Sequence, residues 1–435
     1  MAFRALVRLR RRSATAFGVY LATALGFFIS VVATRTLGVG GYARFATVLA
    51  VVGFFQMLLD LTVEEALVKY GFRYSTAEDW GRFRRLFELA IAYKLIGGAL
   101  GTVASALLAG VAQWIWSGEH LGLPMLIGAF IPLAQSLEGV AAGALILRQR
   151  YDLRAHFSAV SMALRVLGIG IGSIYGVPGA VGGMLVAQVL ASAAIGSAGL
   201  AAFRRFPSGA RARLGADSLD FRRFVISSTI GSSLVSARSQ IGVPLVGVVA
   251  PFAQAGYFRN AQAPLTGFAA LSTPARLVLL TDQTADFERG HHDRMVRSLR
   301  RYIVWSTAIM VVAVPVLWWA MPWLIGIPYG AAFREHATAA ARILLIVGAL
   351  QLVFAWSDTL PITLGRPGLR IVAHVLELVV FVPFLLVFGH AWGATGAAIA
   401  VLISTAAFCA LWAVLIVRLR HDLAGRVRPG AVTAA

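Results

Sequence analysis

The chain has 435 residues, 59% hydrophobic and 13% charged, with a formal net charge of +20. Its mean hydropathy of +0.78 excludes an ordinary soluble domain, whose interior could not hide so much apolar surface. The positive charge does not point to nucleic acid, because the basic residues fall in short gaps between apolar runs, where Lys and Arg gather beside a membrane, rather than in one phosphate-binding stripe. A lone Cys409 in an apolar run excludes an internal disulfide and a cysteine metal cluster.

A helix needs roughly 20 mostly apolar residues to cross hydrocarbon. By that measure the sequence predicts an all-α polytopic membrane protein of about twelve spans: 15–36, 42–67, 86–113, 122–147, 155–176, 178–203, 223–248, 254–280, 302–327, 338–363, 368–389 and 393–417. The basic start and apolar stretch of Met1 to Thr36 exceed a secretory signal core in length and lack a clear small-residue cleavage site, so they read as an uncleaved first helix. Segments 69–85 and 283–301 mix Arg with aromatic or apolar residues, as in Trp80, Phe83, Arg84, Arg85 and Leu86, and read as interfacial amphipathic leads into the third and ninth spans. The longest gap on the opposite side is about ten residues, around Pro328 to Ala337. With the amino terminus inside, thirty basic residues lie on the inner side and five on the outer, while Lys94, Arg165, Arg238 and Arg276 fall within spans. This asymmetry places both termini in the cytoplasm.

Compared with itself, the chain repeats. Gly41-Tyr42-Ala43-Arg44 resembles Gly256-Tyr257-Phe258-Arg259, Arg150-Leu153-Arg154 matches Arg366-Leu369-Arg370, Gly179-Ala180-Val181-Gly182 matches Gly393-Ala394-Thr395-Gly396, and Arg84-Arg85 precede Arg300-Arg301, all at offsets of 214 to 216. Four matches at nearly one offset predict six helices repeated in parallel about an axis along the membrane normal, with the site at the repeat interface. The expected organisation is an N-lobe over 1–203, an inner linker over 204–222 holding Pro207, Gly209 and Gly215, and a C-lobe over 223–435.

The order Arg35-Thr36-Leu37-Gly38, Gly41-Tyr42, Asp60-Leu61-Thr62-Val63-Glu64-Glu65-Ala66-Leu67 and Lys69-Tyr70 is recognisable. So are Glu138 with Arg148-Gln149-Arg150-Tyr151, then Gly256-Tyr257, Tyr329-Gly330 with Phe333, Gly365-Arg366-Pro367 and Gly393-Ala394-Thr395-Gly396. Together they resemble the polysaccharide-biosynthesis (O-antigen or capsule-type) flippases of the multidrug/oligosaccharidyl-lipid/polysaccharide exporter superfamily. The resemblance implies a bacterial inner-membrane transporter, not an enzyme, that moves undecaprenyl-pyrophosphate-linked repeat units from the cytoplasmic to the outer leaflet by alternating access. It also implies membrane lipids as surroundings, with a glycan polymerase and glycosyltransferases as candidate partners. The chain departs from many members in the seventh span, where an acidic residue is replaced by the run Arg238-Ser239-Gln240-Ile241.

A charge at membrane depth costs about 2.5–3.5 kcal/mol on insertion scales, so each must have a use. The diphosphate of such a substrate needs positive charge, and the arginine fork suits phosphate oxygens. Arg238, Arg165, Arg276, Arg35 and Lys94 are the candidates for a cationic cavity, set against structural pairing of an arginine with Glu138 or Glu377 and snorkelling of Lys94 and Arg35 to an interface. Arg44 and Arg259 occupy equivalent repeat positions, which suggests a shared structural task. Asp60 and Glu64, four apart and hence on one helix face, are candidates for a gate latched to Arg73 or Arg150, or for ion coupling; Glu138, Asp358 and Glu377 are further coupling candidates. A proton or sodium ion is the expected coupling ion, with no other cofactor. His156, His374 and His291-His292 form no metal constellation and read as packing or loop residues.

The alternatives are a drug/cation antiporter of the same superfamily, a peptidoglycan-precursor lipid flippase, and a membrane glycan polymerase or glycosyltransferase. The last is opposed by the short outer segments. Reporter fusions test the topology: a fusion after Gly425 should be active only in the cytoplasm and one at Gly330 only outside, and the reverse pattern would overturn the twelve-span reading.

Overall fold

The computed structural model describes residues 2–116, 118–210, 212–215, 217–270, 272, 279, 283, 286, 291–363 and 368–426. Among these the regular elements are helices, with no strand. That is the expected answer to hydrocarbon, where every backbone N–H and C=O must be satisfied within the segment itself. The chain divides into two compact units, Met1–Arg259 and Asn260–Ala435.

The first unit holds α1 (Ala2–Leu59), α2 (Val63–Thr76), α3 (Trp80–Ile115), α4 (Gly122–Gly128), α5 (Ile131–Gln135), α6 (Glu138–Leu147), α7 (Tyr151–Gly172), α8 (Gly176–Phe203) and α9 (Asp217–Val249). A further helix, α10 (Ala253–Ala261), runs across its boundary. The second unit holds α11 (His292–Tyr329), α12 (Ala331–Val353), α13 (Leu360–Thr363) and α14 (Gly368–Arg426). Among the described residues, seven stretches are long and apolar enough to cross a membrane. Three of them, at 57, 53 and 49 residues, are over twice the length one crossing needs.

Breaks inside these stretches explain the excess. In α1 the backbone turns at Gly38 (φ 66°, ψ −176°), a conformation that glycine adopts without a Cβ clash; this separates the expected first and second spans. In α14 the break falls at Trp392 and Gly393, between the expected eleventh and twelfth. The ten-residue outer segment expected around Pro328 to Ala337 is instead a one-residue corner at Gly330, because α11 runs to Tyr329 and α12 starts at Ala331. The span expected at 122–147 is three short helices, with Pro132 near the start of α5 lacking the N–H that would continue the ladder.

The second expected span is itself unwound at Asp60, Leu61 and Thr62, between α1 and α2. Freed backbone groups there are met by hydroxyls of α9. Thr62 N–H donates to Thr229 Oγ1 at 2.9 Å, and Ser233 Oγ donates to Met57 O at 2.9 Å.

An aromatic core closes one end of this unit. Phe83 stands 4.8 Å from Phe206 between ring centres, and Phe87 stands 4.7 Å from Phe203. Phe206 belongs to the segment 204–222 expected to be a linker, and this segment is packed within the first unit: Gly209 and Gly81 approach so closely that a Cβ at Gly209 would lie 2.7 Å from Gly81 N. Helices α7 and α8 pack closely, so that a Cβ on either Gly168 or Gly183 would overlap the other's carbonyl. Small residues let membrane helices approach and gain dispersion contacts. Gly168→Leu should therefore cost about 1–3 kcal/mol or more through overpacking, seen as a lower unfolding temperature in detergent; an unchanged temperature would show that α7 and α8 do not touch there.

Candidate functional site

A polar cavity of about 340 Å³ lies inside the first unit. Its charged lining is Asp60 at the unwound segment, Glu64 on α2, Lys94 on α3, Glu138 on α6, and Arg154 and Arg165 on α7. Three acids thus face three bases.

The Lys94 side chain is buried, and its Nζ donates to Asp60 Oδ1 at 2.6 Å and Oδ2 at 2.8 Å. Arg154 Nη2 lies 2.8 Å from Glu64 Oε1. Arg165 and Glu138 do not pair directly; Gln188, fully buried on α8, joins them. Arg165 Nη2 donates to Gln188 Oε1, while Gln188 Nε2 donates to Glu138 Oε1 at 2.6 Å and to Ser192 Oγ at 3.0 Å. Ser192 Oγ donates to the same Glu138 oxygen at 2.9 Å. A guanidinium can only donate and a carboxylate only accept, so only this orientation of the Gln188 amide serves both. Among the described residues Arg165 Nε–H has no hydrogen-bond partner.

Several expectations are corrected by this geometry. Lys94 does not snorkel to an interface, because a full carboxylate lies within its reach. Asp60 and Glu64 are not latched to Arg73 or Arg150: Arg73 holds Asp217 at 3.2 Å and Arg150 holds Asp152 at 3.1 Å. Nor do the two acids share one helix face, since the chain is unwound between them; they reach the same cavity all the same. Arg44 pairs with Glu119 at 2.9 Å. Arg35 is exposed just before the Gly38 break and Arg238 is half-buried on α9; both are engaged in interactions, and neither lines this cavity. Arg276 and Arg366 lie outside the described residues.

Asp358 and Glu377 meet in the second unit, around a residue that the sequence reading set aside. His374 Nδ1 is 3.3 Å from Glu377 Oε2, and its Nε2 is 3.5 Å from Asp358 Oδ1. Arg370 Nε lies 3.7 Å from Asp358, Thr405 Oγ1 donates to Glu377 Oε1 at 3.4 Å, and the imidazole stacks on Phe408 at 5.3 Å. The i, i+3 spacing of His374 and Glu377 was the available signal. Gln188 carried one too, as an amide in the middle of an otherwise apolar run. Among the described residues no group of His, Cys, Asp and Glu could hold a metal ion.

Gln188→Leu removes both ends of the relay and leaves Arg165 and Glu138 short of partners, at a cost of about 1–3 kcal/mol. Thermal unfolding should fall accordingly. An unchanged transition would mean that the two groups are hydrated rather than bridged.

Residues 9–275 match the family model described as "Polysaccharide biosynthesis protein". No curated protein matches the chain. Among solved structures, an inward-facing multidrug resistance MATE family transporter of the MOP superfamily aligns over 96% of this chain and 99% of its own, with a TM-score of 0.74 and 14% identity. The lipid II flippase MurJ, in its inward closed conformation, aligns over 91% and 86% with a TM-score of 0.68 and 14% identity. A MOP superfamily transporter from Pyrococcus furiosus, described as having a binding pocket of reverse polarity, aligns over 95% and 94% with a TM-score of 0.63 and 15% identity. At such identities the likeness establishes the fold. The resemblance drawn from Arg35 to Gly396 and the family match agree: this chain belongs to the polysaccharide biosynthesis protein family, and it is a multi-pass membrane protein with the fold of MOP superfamily transporters.

Proposed function

We propose that the protein is a flippase that carries a polyprenyl-pyrophosphate-linked oligosaccharide from the cytoplasmic to the outer leaflet of the bacterial inner membrane, by alternating access and without making or breaking a covalent bond. The observation that carries this reading is that Lys94 and Arg165, two of the five cations proposed to meet the diphosphate, face one internal polar cavity. Arg165 lines that cavity, and its guanidinium is the group we assign to a phosphate oxygen of the substrate.

The paired charges suggest how an ion would drive the cycle. A proton or sodium ion that neutralises Asp60 or Glu64 releases the ammonium of Lys94 or the guanidinium of Arg154. The freed cation then attracts the diphosphate, and loss of the ion restores the pair and expels the head group. In this reading Glu138 sets the strength of Arg165 through Gln188, Asp358 and Glu377 supply a second coupling group, and Arg238, Arg276 and Arg35 complete the cationic path. The two repeats, related by an axis along the membrane normal, rock to expose the head group outside while the lipid tail stays in the bilayer, with twelve spans and both termini in the cytoplasm. A drug/cation antiporter is less well supported, because each of Asp60 and Glu64 already holds a fixed cation that an organic cation would have to displace.

Export of the glycan in cells tests the reading. Arg165→Ala should lower export by about tenfold or more if a charge-assisted phosphate contact is lost, with the protein still folded in the membrane. Arg165→Lys should recover only part of it because the fork is gone. Asp60→Asn should leave Lys94 unpaired and remove the dependence on the ion gradient. Wild-type export by Arg165→Ala, Arg238→Ala and Arg276→Ala alike would overturn the cationic path.

A further inference from the structure

On the face of α6 and α8 turned away from the polar cavity, an apolar groove of about 310 Å³ runs between these helices and α3. Phe87, Ile91, Val140 and Leu200 form its walls. Its floor is shaped by two glycines with opposite surroundings. A Cβ at Gly199 would lie 2.6 Å from Ala141 Cα, so α6 and α8 close beneath it, whereas a Cβ at Gly196 would meet nothing within 4 Å. Gly196 thus opens the groove.

One end is charged. Arg84 and Glu88 line it, and Arg85 is beside them. Arg84 Nε lies 3.5 Å from Glu88 Oε1 and Arg85 Nη1 lies 3.2 Å from Glu88 Oε2, with the two arginine side chains 49% and 44% exposed. Two guanidinium groups therefore share one carboxylate, leaving positive charge at the mouth of an apolar furrow on the surface of a membrane protein.

We propose that this groove is a binding site for an anionic phospholipid, with one acyl chain along Phe87, Ile91 and Leu200 and the phosphate on Arg84 and Arg85. The chain removes apolar wall from the crevice, and the planar guanidinium groups match phosphate oxygens in bidentate geometry. A zwitterionic lipid brings its own cation to a basic mouth and is disfavoured there. The site is separate from the transport path and does not depend on the flippase reading.

Native mass spectrometry of the purified full-length protein tests it, with phosphatidylglycerol and phosphatidylcholine of identical chains supplied in equal amounts. Wild type should retain phosphatidylglycerol by about tenfold over phosphatidylcholine, as one charge-assisted contact would give. Gly196→Phe, which fills open space, should reduce retention of both to background while the unfolding temperature holds. Should that variant fail to fold, the exposed pair Arg84→Gln/Arg85→Gln decides, since it should bring phosphatidylglycerol down to the level of phosphatidylcholine. Equal retention of the two lipids by wild type, or undiminished phosphatidylglycerol on the folded Gly196→Phe or the double variant, would overturn the proposal. Displacement of phosphatidylglycerol by a smaller amount of polyprenyl phosphate would also overturn it, by giving the groove to a carrier lipid instead.

Discussion

Lys94 and Asp60 meet where the second span unwinds, and much of the first unit's interior is arranged around that contact. The ammonium lies across both carboxylate oxygens, at 2.6 and 2.8 Å. The ammonium is buried and is costly without a partner, whereas Asp60, 40% exposed where it lines the cavity, is the less dependent of the two. The unwound residues beside Asp60 also expose backbone groups, and hydroxyls of α9 answer two of them. Irregular backbone inside a membrane is tolerated where protein satisfies it, as the α9 hydroxyls do here.

The rest of the polar cavity follows the same constraint at one remove. Arg165 and Glu138 are joined through an amide that can donate and accept at once, so a buried Gln188 transmits the charge of one to the other. Such a network is worth keeping only if every member is satisfied. The Arg165 Nε–H, buried and with no hydrogen-bond partner among the described residues, is a donor that this network leaves unmet. His374 shows a comparable arrangement in the second unit: each ring nitrogen faces a carboxylate, a setting in which the proton count of the cluster governs its hydrogen bonding.

Glycine serves the opposite purpose on the apolar faces. Gly168 and Gly183 allow α7 and α8 to touch, Gly199 seats α8 on α6, and Gly196 leaves a furrow open. One residue type therefore closes one surface and opens another, according to what stands opposite. Between them, these contacts place the polar cavity on one side of α6 and the apolar groove on the other.

Composition and the lengths of apolar runs determined the membrane-helical class, and ordered motifs from Arg35 to Gly396 identified the family, because hydrocarbon permits few architectures and motif order survives along the chain. The glycine breaks at Gly38 and Gly393 were legible in the same way, as turns between two apolar runs. Partner choice was not. The sequence could place Lys94, Asp60, Glu64 and Arg154 in or near spans, but their pairing depended on the unwinding at Asp60 to Thr62, which is stabilised by hydroxyls about 170 residues away in the chain. The bridging role of Gln188 and the carboxylates around His374 were hidden for a related reason. Which polar groups meet in a membrane interior is set by the facing of separate helices, and only the tertiary structure fixes that.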